Sequence, residues 1–240
     1  MRYRLREISA NAMPYDWPSW VYCRIGSFLL WLAQPLGLSP NAVSYLGPLA
    51  GALAALSLVL WGGGDALVGK TLFILLAALA YMADEMDGIW ARTTGRMSRF
   101  GGWLDWKCGE AKDWLLNVGM ILHWGRELLE RWSPGREPFF TFEMAGLLPL
   151  FALVVLAFFA GKGIFLSVRW FPEREDRYYT KKEFRLPVVC LVADAFKVSV
   201  VYSAAVFFFP VFAGWMLLYT GMYWMGILVH LGKQKRSMKG

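Results

Sequence analysis

The sequence is short of the side chains that build soft-metal and disulfide-stapled sites, with two histidines and three cysteines in 240 residues. Cys23, Cys108 and Cys190 are odd in number, show no Cys-x-x-Cys spacing and have no paired histidines beside them. A disulfide framework or a zinc site is therefore not expected. Charge is scarce as well: 18% of residues are charged and 57% are hydrophobic, against about 25% and about 45–50% in ordinary soluble domains. Met1 to Pro18 carries arginines but no apolar stretch ending in a small-residue cleavage site, so it does not read as a cleaved signal peptide. Internal repeats and low-complexity tracts are lacking too.

What the chain has instead is long apolar runs spread along its length, with a mean hydropathy of +0.40. A spanning helix needs about 20 mostly apolar residues, and six segments meet that rule: 41–62, 67–89, 98–124, 144–169, 185–209 and 211–232. Residues 17–38 mix Trp, Leu and Ile with Asp16 just before them and Arg24 within, and break at Pro35 and Gly37. They read as an amphipathic helix lying on the membrane surface. The expected fold is an all-α membrane protein forming one domain over 1–240, with an interfacial helix (17–38) ahead of a six-helix bundle (41–232). Ser39 or Asn41 is expected to cap the first span, with Pro40 at the turn into it. Gly62 to Asp65 reads as a tight turn, and Gly125 to Glu143 as the longest loop on its side.

A formal charge of +7 and a pI near 9.4 would point to nucleic acid in a soluble protein. Here the basic residues cluster between apolar runs, so membrane topology explains them and no nucleic-acid partner is expected. Seventeen lysines and arginines fall in the loops and termini on one side and four on the other. By the positive-inside rule both termini and the loop between the second and third spans face the cytoplasm, which an even number of spans satisfies.

That loop is flanked by acid. The second span ends in Asp84, Glu85 and Asp87, and the third contains Asp105; carboxylates at such depth are expensive and mark function. Asp84 and Asp87, three apart, share a helix face and can grip one cation together. Gly88 and Ala91, and then Gly101 and Gly102, keep the surface small where a helix or ligand approaches. Arg92 is a partner for phosphate. Oxygen ligands without His or Cys suit Mg²⁺ or Mn²⁺, and a divalent ion beside an arginine suits transfer of a phosphoryl-type group. The bland reading is a solvated helix end in which the acids pair with Arg92, Arg96 and Arg99.

Asp84, two residues, Asp87-Gly88, two residues, Ala91-Arg92, eight residues, Gly101, three residues, Asp105 resembles the signature of the CDP-alcohol phosphotransferase family. Ser39 to Ser44 is similar to the stretch that opens that family's first span. The resemblance runs over about residues 17 to 232 and implies metal binding by Asp84, Asp87 and Asp105. It implies that Gly88, Ala91, Arg92 and Gly101 line the site for CDP and its diphosphate, and that Asp105 is catalytic. The reaction it implies is attack of an acceptor alcohol on the β-phosphorus of a CDP-alcohol donor, releasing CMP, in phospholipid synthesis among membrane lipids. It also implies a homodimer.

The family's signature closes with a fourth Asp, a ligand of a second metal and the general base, where this chain has Gly109. A general base is worth roughly 10²–10⁴ in rate. On a helix, position 113 lies about 40° from position 109 and one turn deeper, so Asp113 is a candidate substitute base, with Glu110 as the other. The bland reading of Asp113 is an ion pair with a nearby lysine such as Lys107. The rival to an enzyme is a catalytically silent relative that keeps the nucleotide and metal site for binding or scaffolding. A third reading, a small-solute transporter using Asp194 and Lys197 within the fifth span, is opposed by carboxylates gathered at one membrane face. Lys162 reads as snorkelling or as a phosphate contact, the run from Arg174 to Arg185 as a loop over anionic headgroups, and Cys108 as a small packing residue. His123 and His230 fall on opposite sides of the bilayer and cannot share a metal.

Overall fold

The structure is a computed structural model that describes residues 3–14, 17–61 and 66–131, with shorter stretches within 152–160 and 197–225. All regular structure among the described residues is helical. The chain divides into two compact units, Met1–His123 with Arg177–Ser203, and Trp124–Asp176 with Ala204–Gly240.

In the first unit α1 (Leu5–Ala10) precedes α2 (Trp17–Ala33), which closes in a 3-10 turn over Gln34–Leu36 and Gly37 at φ 64°. Then come α3 (Pro40–Ser44), α4 (Leu46–Trp61), α5 (Ala66–Thr94) and α6 (Arg99–Arg131). Ser39 is the cap of α3, its hydroxyl accepting from the Ala42 N–H at 3.2 Å; Asn41, the other candidate cap, is used elsewhere. The helix breaks at Tyr45 because Pro48 has no N–H to return to the Ser44 carbonyl, and α4 restarts with Pro48 in its first turn, where proline is tolerated.

Among the described residues two helical stretches, Pro40–Trp61 and Leu67–Thr94, are long and apolar enough to cross a membrane, and α6, which holds the third predicted span, is not among them. In α4 the buried face is mostly small, with Gly47, Ala50, Gly51, Ala54 and Ser57 beside one leucine, Leu58, while Leu46, Leu49, Leu53, Leu56 and Leu60 are exposed. Small residues inside and leucines outside is the arrangement expected where lipid is the solvent. The backbones accordingly come close: a Cβ on Gly119 of α6 would stand 2.7 Å from Ala55 Cα, and one on Gly69 of α5 3.0 Å from the Ser57 carbonyl.

Helix α2 is present where the sequence predicts a surface helix, and it shows Trp20, Ile25, Phe28, Trp31 and Leu32 exposed. It packs on α5 at Gly26, where a Cβ would stand 2.7 Å from Met86 Cγ. Ile8, Cys23, Leu30, Val43, Met86, Ile89 and Trp90 form one core between α1, α2, α3 and α5. The chain before α1 is strapped to the end of α2 by paired bonds between Tyr3 and Gln34.

Helices α5 and α6 are longer than their predicted spans. Helix α5 continues past residue 89 to Thr94 and stops at Gly95 (φ 66°), with the Arg96 N–H on the Ala91 carbonyl at 3.0 Å, a Schellman-type end that needs a left-handed residue. Helix α6 runs through the start of the predicted loop at Gly125, since Glu127 to Glu130 are good helix formers and Arg126 pairs with Glu130 at 2.6 Å. In the second unit the Trp124 indole donates to the Ala205 carbonyl at 2.9 Å and packs against Phe209 and Phe212.

Gly62 to Asp65, Lys162, the run from Arg174 to Arg185, Cys190, Asp194 and His230 lie outside the described residues, as does the side chain of Lys197. The fourth predicted span, most of the fifth and much of the sixth lie there too.

Candidate functional site

The site is built on the second half of α5, where α3, α6 and the N-terminal segment meet it. Its length carries the acidic motif beyond the apolar part of the helix, and the carboxylates leave it in different directions. Asp84, 26% exposed, faces α6, where its Oδ2 lies 2.7 Å from the Lys112 ammonium. Glu85 faces α2 and accepts from the Ser19 hydroxyl at 3.0 Å and the Cys23 thiol at 3.6 Å. Asp87, buried, faces α3 and accepts from the Ser44 hydroxyl. Asp105 on α6 is half-buried and acts electrostatically on Asp87, as do Asp84 and Lys112. All four also act on the Cys108 thiol, so the three signature carboxylates and one lysine share a neighbourhood.

Arg92 stands one turn beyond Gly88 on the same face. Its Nε donates to the Asn11 carbonyl at 2.8 Å, and its Nη1 lies 3.1 Å from where a Gly88 Cβ would be. Glycine at 88 leaves room for the guanidinium to lie along the helix. Ala91 is half-buried, and its carbonyl is used in the cap of α5. At the start of α6 the Gly101 N–H donates to the Ser98 hydroxyl at 2.9 Å, and a Cβ there would stand 3.4 Å from Asn41 Oδ1. Asn41 therefore reaches across from α3 to the Gly101 backbone. Gly102, also predicted to keep a surface small, has open space around it.

Gly109 faces Asp84: a Cβ there would lie 3.6 Å from Asp84 Oδ1. Asp113, one turn on, accepts from the Tyr81 hydroxyl, and its carbonyl accepts from the Asn117 amide, which also donates to the Tyr202 hydroxyl. Lys107 lies 4.2 Å from the Trp106 ring centre. His123 is buried near the end of the first unit. Among the described residues, no group of three or more His, Cys, Asp or Glu side chains is placed to hold a metal ion. The side-chain donors near Asp87 are oxygens, the donor type that hard cations take.

No model of a known protein family matches the chain, and no solved structure is detectably similar. A curated relative does match. The chain is similar to the archaetidylinositol phosphate synthase of Pyrococcus horikoshii. The two are 36% identical over 99 residues, 41% of this chain and 47% of the relative, so the match spans about half the relative's length.

Sequence reasoning gave no site role to Ser44, Asn41, Tyr81 or Lys112, although Asn41 and Ser44 lie in the stretch similar to the opening of the family's first span. Tyr81 carries no signal alone, being an aromatic residue of an apolar helix. Lys112 did carry one, as a lysine one residue before Asp113 within a predicted span.

Proposed function

We propose that the chain is a membrane-embedded enzyme of the CDP-alcohol phosphotransferase type, transferring a phosphatidyl or phospho-alcohol group to an acceptor alcohol in phospholipid synthesis. The observation that carries this reading is the joining of Asp84, Asp87 and Asp105 in one neighbourhood, with the Arg92 guanidinium laid over Gly88. The relative, named as a synthase of a phosphorylated lipid, supports the same class.

In this reading Asp87 and Asp105, with Asp84 beside them, hold Mg²⁺ or Mn²⁺, which supplies charge neutralisation on the diphosphate oxygens. Arg92 binds the diphosphate through its Nη atoms, and Gly88, Ala91 and Gly101 let the nucleotide lie against backbone. The acceptor oxygen bonds to the β-phosphorus, the bond from that phosphorus to the bridging oxygen breaks, and CMP leaves with the electron pair. The acceptor's proton goes to a base, for which Asp113 is the candidate. The proposal includes six spans, a surface helix over 17–38, both termini in the cytoplasm and a homodimer.

A second reading, a silent member that binds CDP-alcohol without turnover, is favoured by one observation: hydrogen rather than a carboxylate stands at position 109, facing Asp84. Release of CMP from radiolabelled CDP-diacylglycerol, with Mg²⁺ or Mn²⁺ and a panel of acceptors, separates the two. No CMP above a metal-free control defeats the enzyme reading, and retained CDP binding in that case supports the silent one. If Asp113→Asn turns over as fast as an active wild type, Asp113 is not the base.

A further inference from the structure

Helix α1 has no part in the reaction as drawn, yet its contacts gather on one turn of α5. At one end the Tyr3 ring stands edge-on to Trp90 at 5.8 Å, and the Tyr3 backbone exchanges two bonds with Gln34. In the middle Ile8 is fully buried against Ile89 and Trp90. At the other end sits Asn11, the C-cap of α1. The last carbonyls of a helix have no partner within it, and the Asn11 carbonyl takes the Nε–H of Arg92 at 2.8 Å. The Asn11 side-chain amide fixes that carbonyl from both sides. It donates to the Glu7 carbonyl of its own helix at 3.0 Å and to the Thr93 hydroxyl at 3.2 Å. Thr93 in turn donates to the Ile89 carbonyl at 2.8 Å, which ties the latch to the backbone of α5.

Resting on the reading of Arg92 as a diphosphate ligand, we infer that Asn11 and Thr93 are positioning residues for it, acting as a latch that sets the guanidinium before the nucleotide arrives. An arginine side chain is long and rich in rotamers, and ordering it when the ligand binds costs affinity that prior ordering saves. Here the ordering is done by the fold. Gly88 leaves the space in which the guanidinium lies, and Asn11 takes Nε, the nitrogen that leaves both Nη atoms for an anion. A purely structural α1 would hold the helices together equally well with any acceptor at position 11. The latch makes a narrower claim: the side chains of Asn11 and Thr93 affect anion affinity only through Arg92.

The test is a double-mutant cycle on the full chain in lipid nanodiscs, with CDP as the probe, Mg²⁺ present and affinity read by calorimetry. Asn11→Ala is expected to weaken CDP roughly three- to tenfold, the range of one neutral hydrogen bond, and Thr93→Val to act in the same direction. Thr93→Ser, which keeps the hydroxyl, should return to within about twofold of wild type. In an Arg92→Met chain, itself weakened roughly 10- to 100-fold, Asn11→Ala should change CDP affinity by less than about twofold. Unchanged affinity in both Asn11→Ala and Thr93→Val overturns the latch, and so does an equal loss with and without Arg92, while the loss in Arg92→Met leaves the diphosphate reading standing. An Arg92→Met chain that binds CDP like wild type, or a wild type that binds none, overturns both. If Asn11→Ala fails to fold, the Thr93→Val and Thr93→Ser pair, repeated with Arg92→Met, decides.

Discussion

Asp84 and Asp87 stand about one turn apart on the same helix and read alike in the sequence, yet α6 meets the first with a buried ammonium and α3 meets the second with a hydroxyl. The difference teaches that a shared helix face does not give carboxylates a shared chemistry. One negative charge is already balanced by the protein, and removing its partner strands the other half. The other accepts a hydrogen bond from a neutral hydroxyl. Glu85 between them turns to α2, where it fixes the surface helix through Ser19 and Cys23.

The sharpest way to break this contrast is to neutralise each acid in turn. Asp87→Asn is expected to lower metal-dependent CMP release by roughly 10²–10⁴, the several kcal/mol that a catalytic metal supplies, without lowering Tm. Asp84→Asn should do the reverse in weight. Leaving Lys112 buried without its carboxylate costs about 3 kcal/mol, seen as a fall in Tm. Equal loss of Tm in both variants would end the distinction. Arg92→Lys comes next: a point charge replaces a planar fork, and CDP affinity is expected to fall about 10- to 100-fold, the range of a charged hydrogen bond, measured by calorimetry. Glu85→Gln gives the smallest effect and serves as the control, with CMP release close to wild type. Burial, then the Glu85 carboxylate, push the Cys23 thiol from its usual 9.0 up to about 12. The neutral thiol therefore stabilises the fold fully below pH 9, and this contribution is lost as pH rises toward 12. Removing the Glu85 charge should move the onset of maleimide labelling at Cys23 to lower pH, read in a chain whose other cysteines are alanine.

Much of this was legible from residue types. The runs from 41 and 67 and the helix from 17 follow from apolar length and from punctuation by Pro35, Gly37 and Pro40, because those signals are local. Gly88 was read as a place of close approach and Arg92 as a phosphate partner, but the lie of the guanidinium along Gly88 was not read. Helix α1 was not, since six residues with two charges hold a helix only through the Arg4 N–H bond to Glu7 and the burial of Ile8 against α2 and α5. Lys112 was not legible as a partner of Asp84. Its direction depends on Gly47 and Gly51, some sixty residues earlier, being small on the face that meets α6, and no spacing rule within one helix contains that. The register of Gly109 against Asp84 is of the same kind: a helical wheel gives the face but not which carboxylate it meets.

The Arg92 Nε bond to the Asn11 carbonyl joins residues 81 apart in the chain. A guanidinium anchored by that nitrogen has lost its freedom to swivel, and its two remaining nitrogens are aimed as a set by a peptide group outside the acidic motif. The opening residues thereby become the mount of the anion-gripping fork, and trimming them would loosen its aim before any signature side chain had been touched.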